Sequence, residues 1–178
     1  MGFMRMSCKF PYQGHLEKAD VFGYTTKGIP GIEIVGLGKH GRQMKEKFIY
    51  LSKERGIRYP HLRYILCVEG EIEGKKFKNE EFRYLELPLL LMLWKMADVL
   101  PIYELTDCFA AGKISIQGEI DYLQLPLRAQ ENLFQELGQE CVGIPKLIAP
   151  RQMPVCPDFG HIHLEELLGP TFRENLHA

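Results

Sequence analysis

The sequence predicts an α/β fold built on a mixed sheet. Three observations carry that expectation: short β-branched runs of strand length recur, amphipathic helical stretches lie between them, and the two alternate without a strict βαβα repeat. Hydrophobic residues make up 46% and charged residues 25% of the 178 residues, the balance of one packed domain rather than a disordered tail.

The elements follow in order. Residues 21–25 and 32–37 are β-branched runs on either side of Lys27-Gly28-Ile29-Pro30-Gly31, which reads as a turn closed by Gly31 at positive φ. Residues 42–55 carry Met44, Phe48 and Leu51 at i, i+4 and i+7 and stop before Gly56, the pattern of an amphipathic helix with a glycine end. Residues 62–68 form a third strand, and the polar stretch 70–81 reads as a hairpin or mobile loop. Residues 86–98 are apolar on nearly every side, with Pro88 in the first turn. A helix without a polar face is buried between layers or covers a partner, and its lone Trp94 is the candidate partner contact. Residues 105–120 read as one long or bent strand carrying a Gln117-Gly118 turn. Residues 126–137 set Ala129, Leu133 and Leu137 on one helix face, with Gly138 as the stop. A short strand at 147–149, a Pro-rich loop at 150–157 and a helix at 164–168 complete a single domain over 1–178.

Composition excludes several function classes. Lys and Arg number 22 against 23 Asp and Glu, a formal net charge of −1, unlike a strongly basic nucleic-acid coat. The longest apolar run, 87–94, falls far short of the ~20 residues of a membrane span. No signal-peptide core is visible, and Met6 stands where myristoylation needs Ser or Thr. Cys8, Cys67, Cys108, Cys141 and Cys156 are scattered without a C-x-x-C pair, which predicts a reducing, cytoplasmic setting and no zinc knuckle.

Motifs with chemistry are few. Gly36-Leu37-Gly38-Lys39-His40-Gly41 spells G-x-G-x-x-G between a strand and a helix. The acidic residue of a dinucleotide site belongs about 20 residues further on, and Glu69 lies well beyond that, so a tight turn is the favoured reading. His161-Ile162-His163 puts two imidazoles on one strand face near Cys156, but the spacing fits no common zinc site, and no metal is expected. No P-loop and no G-x-S-x-G occur, and Ser7, Ser52 and Ser115 lie outside any glycine elbow. The expectation is therefore no catalytic residue and no cofactor. Between Lys39 and Arg55 six basic residues stand against two acidic ones. At ~100° per residue, Lys39, Arg42 and Lys53 face away from the apolar stripe, as a phosphate-contacting face or an ordinary solvated one.

One string is more specific. Gly28-Ile29-Pro30-Gly31-Ile32-Glu33-Ile34-Val35-Gly36-Leu37 resembles the G-[LI]-P-G-x-x-[IV]-V-G-L hallmark of the magnesium-chelatase-like competence proteins, the ComM family. The resemblance continues in order through Gly56-Ile57-Arg58-Tyr59-Pro60, Glu86-Leu87-Pro88, Gly112-Lys113-Ile114-Ser115-Ile116-Gln117-Gly118 and Leu147-Ile148-Ala149-Pro150, over about residues 15–170. It implies the ribosomal-protein-S5-domain-2-like fold of that family's N-terminal domain, which Lon proteolytic and RadA C-terminal domains share. In the family this domain precedes an AAA+ ATPase implicated in DNA processing, and the numbering here points to a stand-alone relative. Tyr84 occupies the place of the Lon-type nucleophilic serine, and Leu127 that of its lysine, so the resemblance implies no protease. The expectation is a non-catalytic module that contacts an AAA+ ATPase or itself. Direct nucleic-acid binding through Lys39, Arg42 and Lys53 is the alternative.

Overall fold

The chain opens with a hairpin whose side-chain alternation explains it. Strand β1 (Met4–Tyr12) sends Met6, Cys8 and Phe10 to one face and Arg5, Ser7 and Lys9 to the other. Strand β2 (His15–Thr26) runs antiparallel to it, with Tyr12 opposite His15. The two residues between, Gln13 and Gly14, have φ of 49° and 85°, the left-handed pair that a tight hairpin with right-handed twist requires. The sequence reading starts the sheet at residue 21 and passes over this hairpin.

A computed structural model describes residues 3–70, 80–169 and 172–174. After β2 come β3 (Gly31–Val35), helix α1 (Lys39–Glu54) and β4 (Arg63–Gly70). Strand β4 lies parallel to β3 and antiparallel to β2. On the other side of β1, strands β5 (Cys108–Phe109), β8 (Lys146–Ala149) and β9 (Gly160–His163) add in parallel. The result is a mixed, mostly parallel sheet of order β3-β4-β2-β1-β5-β8-β9, as the α/β expectation required. Strands β6 (Gly112–Ile114), β7 (Glu119–Tyr122) and β10 (Arg173–Glu174) form a second, small sheet.

Helix α2 (Glu86–Met96) lies between the layers, against β1, β2 and β4 on one side and β6 on the other. Every residue from Glu86 to Trp94 is buried, which explains the missing polar face. Each large apolar side chain buried there contributes roughly 1.5–3 kcal/mol. Helix α1 buries Met44, Phe48 and Leu51 as its spacing predicts, and Gly56 just beyond it takes φ 66°, the left-handed residue that ends a helix.

Helix α3 (Leu127–Gly138) sits on the opposite face of the sheet from α2. Its Glu136 pairs with Lys9 at 2.9 Å, and Glu140 just past its end pairs with Lys18 at 2.6 Å and Arg5 at 3.3 Å. Leu133 and Leu137 are buried as expected, but Gln130 rather than Ala129 fills the third core position. Its amide is fully satisfied: Nε2 donates to the Leu125 and Pro154 carbonyls at 2.9 and 3.0 Å, and Oε1 accepts the Cys156 N–H at 2.9 Å. That amide pins the Pro-rich loop, and α4 (Leu164–Leu168) follows β9.

Three expectations are corrected. Residues 105–120 are not one strand: β5 belongs to the large sheet, the buried Ala110 and Ala111 carry the chain across, and β6 opens the small sheet. Gly118, at φ 81°, then turns the chain into β7. Gly31 has no positive φ; Gly28, at φ 147°, takes that role in the turn. Glu80–Leu85 forms a 3-10 turn, whereas 71–79, most of the stretch read as a hairpin or loop, lies outside the described residues. No described helix is long and apolar enough to cross a membrane.

The two turn glycines predict opposite outcomes. At Gly36, φ is 97° and an added Cβ would fall on the Val68 carbonyl oxygen, while at Gly31 nothing lies within 4 Å of that position. Gly36→Ala is expected to cost about 2 kcal/mol or more in urea unfolding, and Gly31→Ala less than about 0.5 kcal/mol. Equal midpoints for the two variants would show that Gly36 is not conformationally required.

Candidate functional site

Glu86, the first residue of α2, is only 2% exposed. A charge at that depth persists only when paired and hydrogen-bonded. One carboxylate oxygen accepts the Ile114 N–H at 2.7 Å; the other accepts Lys47 Nζ at 2.6 Å and Arg83 Nε at 3.0 Å. Lys47 and Arg83 both donate again to the Ile114 carbonyl, at 2.9 and 3.1 Å. Arg83 also reaches the exposed Glu80 at 2.8 Å. Burial alone would pull the Arg83 guanidinium down, but its bonds to Glu86 and Glu80 outweigh that and hold its pKa above the ordinary value. The same bond to Arg83 keeps Glu80 below the usual carboxylate range. Helix α1, the 3-10 turn, α2 and β6 thus meet at one carboxylate. Beside it opens a hollow of about 430 Å³, lined by Lys47, Arg83, Gln43, Met44, Phe82 and Ile116 among others.

The sequence does hint at this cluster. An acidic residue at the head of an otherwise apolar helix, three positions after an arginine, is out of keeping with its surroundings. Lys47 counts toward the basic excess of α1, yet it turns inward to Glu86.

Lys39, Arg42 and Lys53 are all exposed, and none forms an ion pair with a described residue. Their side of α1 is not purely basic. By helical spacing Glu46 and Tyr50 stand among them, and Glu46 pairs with Lys45 at 3.2 Å. Trp94, by contrast, is 2% exposed and presents no surface to a partner. Its indole N–H donates to Ser52 Oγ at 3.1 Å and Tyr59 Oη at 3.3 Å, and Phe172 packs edge-on at 5.5 Å.

The glycine string serves close packing. Gly36 backs onto the Val68 carbonyl, and a Cβ on Gly41 would lie 2.9 Å from the Ile34 carbonyl oxygen. His161 and His163 do share a strand face, with ring centroids 4.4 Å apart. Among the described residues no group of three or more His, Cys, Asp or Glu is placed to hold a metal. Tyr84 is half-buried, with Lys113 from β6 4.6 Å from the centre of its ring, and Leu127 is 49% exposed at the head of α3. The lysine beside Tyr84 therefore comes from another element and meets the ring face.

A second feature escapes the sequence reading. Helix α3 covers the β1 end of the outer sheet face, but Tyr24 on β2 and Val35 on β3 stay 36% and 44% exposed. Phe22, Ile65 and Cys67 lie half-buried on the same face, and a hollow of about 430 Å³ opens between Phe22, Val35 and Cys67. Burial, helped by Glu69 and Glu33, pushes the Cys67 thiol up. No protein-family model matches the chain, and no curated protein matches it.

Replacing Glu86 tests the buried cluster. Glu86→Gln keeps the shape but leaves Lys47 without its counter-charge and Arg83 with only the exposed Glu80. A loss of about 3–5 kcal/mol is expected in urea unfolding followed by Trp94 emission. A midpoint within error of the parent would show that the ion pairs are replaceable by hydrogen bonds alone.

Proposed function

We propose that the chain is a non-catalytic domain of the ComM N-terminal type, and that it works by docking on an AAA+ ATPase. The observation that carries this reading is the apolar part of the outer sheet face, where Tyr24 and Val35 stay exposed beside Phe22, Ile65 and Cys67. Apolar surface of this kind, rimmed by Glu33, Arg63 and Glu69, has the character of a protein contact. The ordered series of family-like motifs points to the partner class, because the family's own domain precedes such an ATPase. The mixed sheet with helices on both faces accords with an S5-domain-2-like fold. Tyr84 and Leu127 supply neither a serine nor a lysine, which supports a non-catalytic role.

A second reading rests on one observation: Lys39, Arg42 and Lys53 are exposed together on α1. That arrangement favours phosphate contact. Glu46 in their midst and a net charge of −1 weigh against it.

Two measurements separate the readings. With a ComM-type AAA+ ATPase that lacks this domain, the parent is expected to co-sediment, and Val35→Glu to abolish the complex while melting like the parent. A parent that ignores the ATPase but dimerises through Val35 would replace that partner with a second copy. For DNA, the parent is expected to bind no better than ~10⁻⁴ M at physiological salt. Tight binding that disappears when Lys39, Arg42 and Lys53 are all changed to Glu, with a shallower salt dependence, would make nucleic acid the better reading.

A further inference from the structure

We propose that the hollow beside Glu86 binds a small organic monocarboxylate with an apolar body, seated on Arg83 and Lys47 in place of the Glu80 side chain. This goes beyond docking on an ATPase and is independent of it.

Charge comes first. Lys47 and Arg83 bring two positive charges to the cluster, and Glu86 brings one negative charge. The side chains of Lys47 and Arg83 are 19% and 24% exposed, so water screens the surplus only in part. Among the described residues it is offset by Glu80, whose side chain is 72% exposed and reaches Arg83 from three residues away. An exposed pair of that kind contributes little, and an incoming carboxylate displaces it at small cost.

Hydrogen-bond capacity points the same way. An ammonium has three protons, and Lys47 spends two, on Glu86 and the Ile114 carbonyl. A guanidinium has five N–H groups, and Arg83 spends three, on Glu86, Glu80 and the Ile114 carbonyl. One terminal N–H on each guanidinium NH2 group of Arg83 stays unspent, beside the spare proton of Lys47, and charged donors of this kind suit a carboxylate. A ligand cation would find both carboxylates of the hollow, Glu80 and Glu86, already paired with Lys47 and Arg83, and a phosphate dianion would exceed the single surplus charge.

The remaining wall selects the body of the ligand. Met44 and Phe82 are buried, and Ile116 stands 56% exposed at the mouth. A volume of about 430 Å³ lies within the range of small-molecule sites and accommodates a ring or a short branched chain.

The test titrates benzoate into the full chain carrying ¹³C-labelled Met and Ile methyl groups. Saturable shifts are expected at Met44 and Ile116, with buried core methyls such as Met6 unmoved as the control for fold. Glu80→Gln removes the internal competitor and is expected to tighten binding by about two- to fivefold. Ile116→Glu sets a like charge at the mouth and is expected to weaken it by at least as much. Benzylamine, with the same ring and the opposite charge, is expected to give no saturable shift. The proposal is overturned if benzoate fails to saturate in both the parent and Glu80→Gln, if benzylamine binds equally, or if Glu80→Gln weakens binding. Inorganic phosphate that displaces benzoate at equal concentration would overturn the carboxylate assignment.

Discussion

A carboxylate taken out of water costs several kcal/mol unless donors surround it, and Glu86 is surrounded by donors from three separate parts of the chain. Lys47 comes from α1, Arg83 from the 3-10 turn, and the Ile114 N–H from the edge of the small sheet. Because both cations also bond the Ile114 carbonyl, the cluster fixes a strand as well as neutralising a charge. The small sheet, α2 and α1 therefore have one mutual arrangement that satisfies all these groups, and sliding any of them strands a buried ion. Apolar packing around α2 supplies most of the cohesion, but it is far less particular about alignment.

The same logic separates interior from surface. Helix α2 spends its faces on the two sheets, α1 and the 3-10 turn, so its apolar character says nothing about a partner. A strand surface that does remain partly apolar lies on the side of the sheet that α3 leaves partly open. Apolar character in the sequence therefore does not tell which residue faces solvent: Trp94 is inside, and Val35 is outside.

What the sequence reveals depends on how many side chains each element has to show its period. Helices α1 and α3 are long enough for the apolar stripe to be plain, and β3 and β4 are rich in β-branched residues. Strand β1 was legible by alternation, yet its inward residues are Met6, Cys8 and Phe10, which a search for β-branched runs passes over. Strands β5 and β6 have two and three residues, too few for alternation to register. A helix apolar all round has no readable direction, so the burial of Trp94 follows only from where the small sheet lies. The Glu86 cluster joins positions 47, 83, 86 and 114, which no local pattern brings together. Of the two candidate surfaces, the basic side of α1, Glu46 included, is readable from spacing, but the outer sheet face matters only once neighbours are known.

The position of β1 bears on how the chain is made. It lies in the interior of the seven-stranded sheet, with β2 on one side and β5 on the other, and Ser7 is opposite Phe109. On the ribosome the β1–β2 hairpin emerges while the second neighbour of β1 is still about a hundred residues from being synthesised. For that interval the far edge of β1 has no strand to pair with, and the inward set Met6, Cys8 and Phe10 lacks the helix that will cover it. The newborn chain thus carries a sticky template until β5 is made, and holdase chaperones are the natural escorts of such an edge.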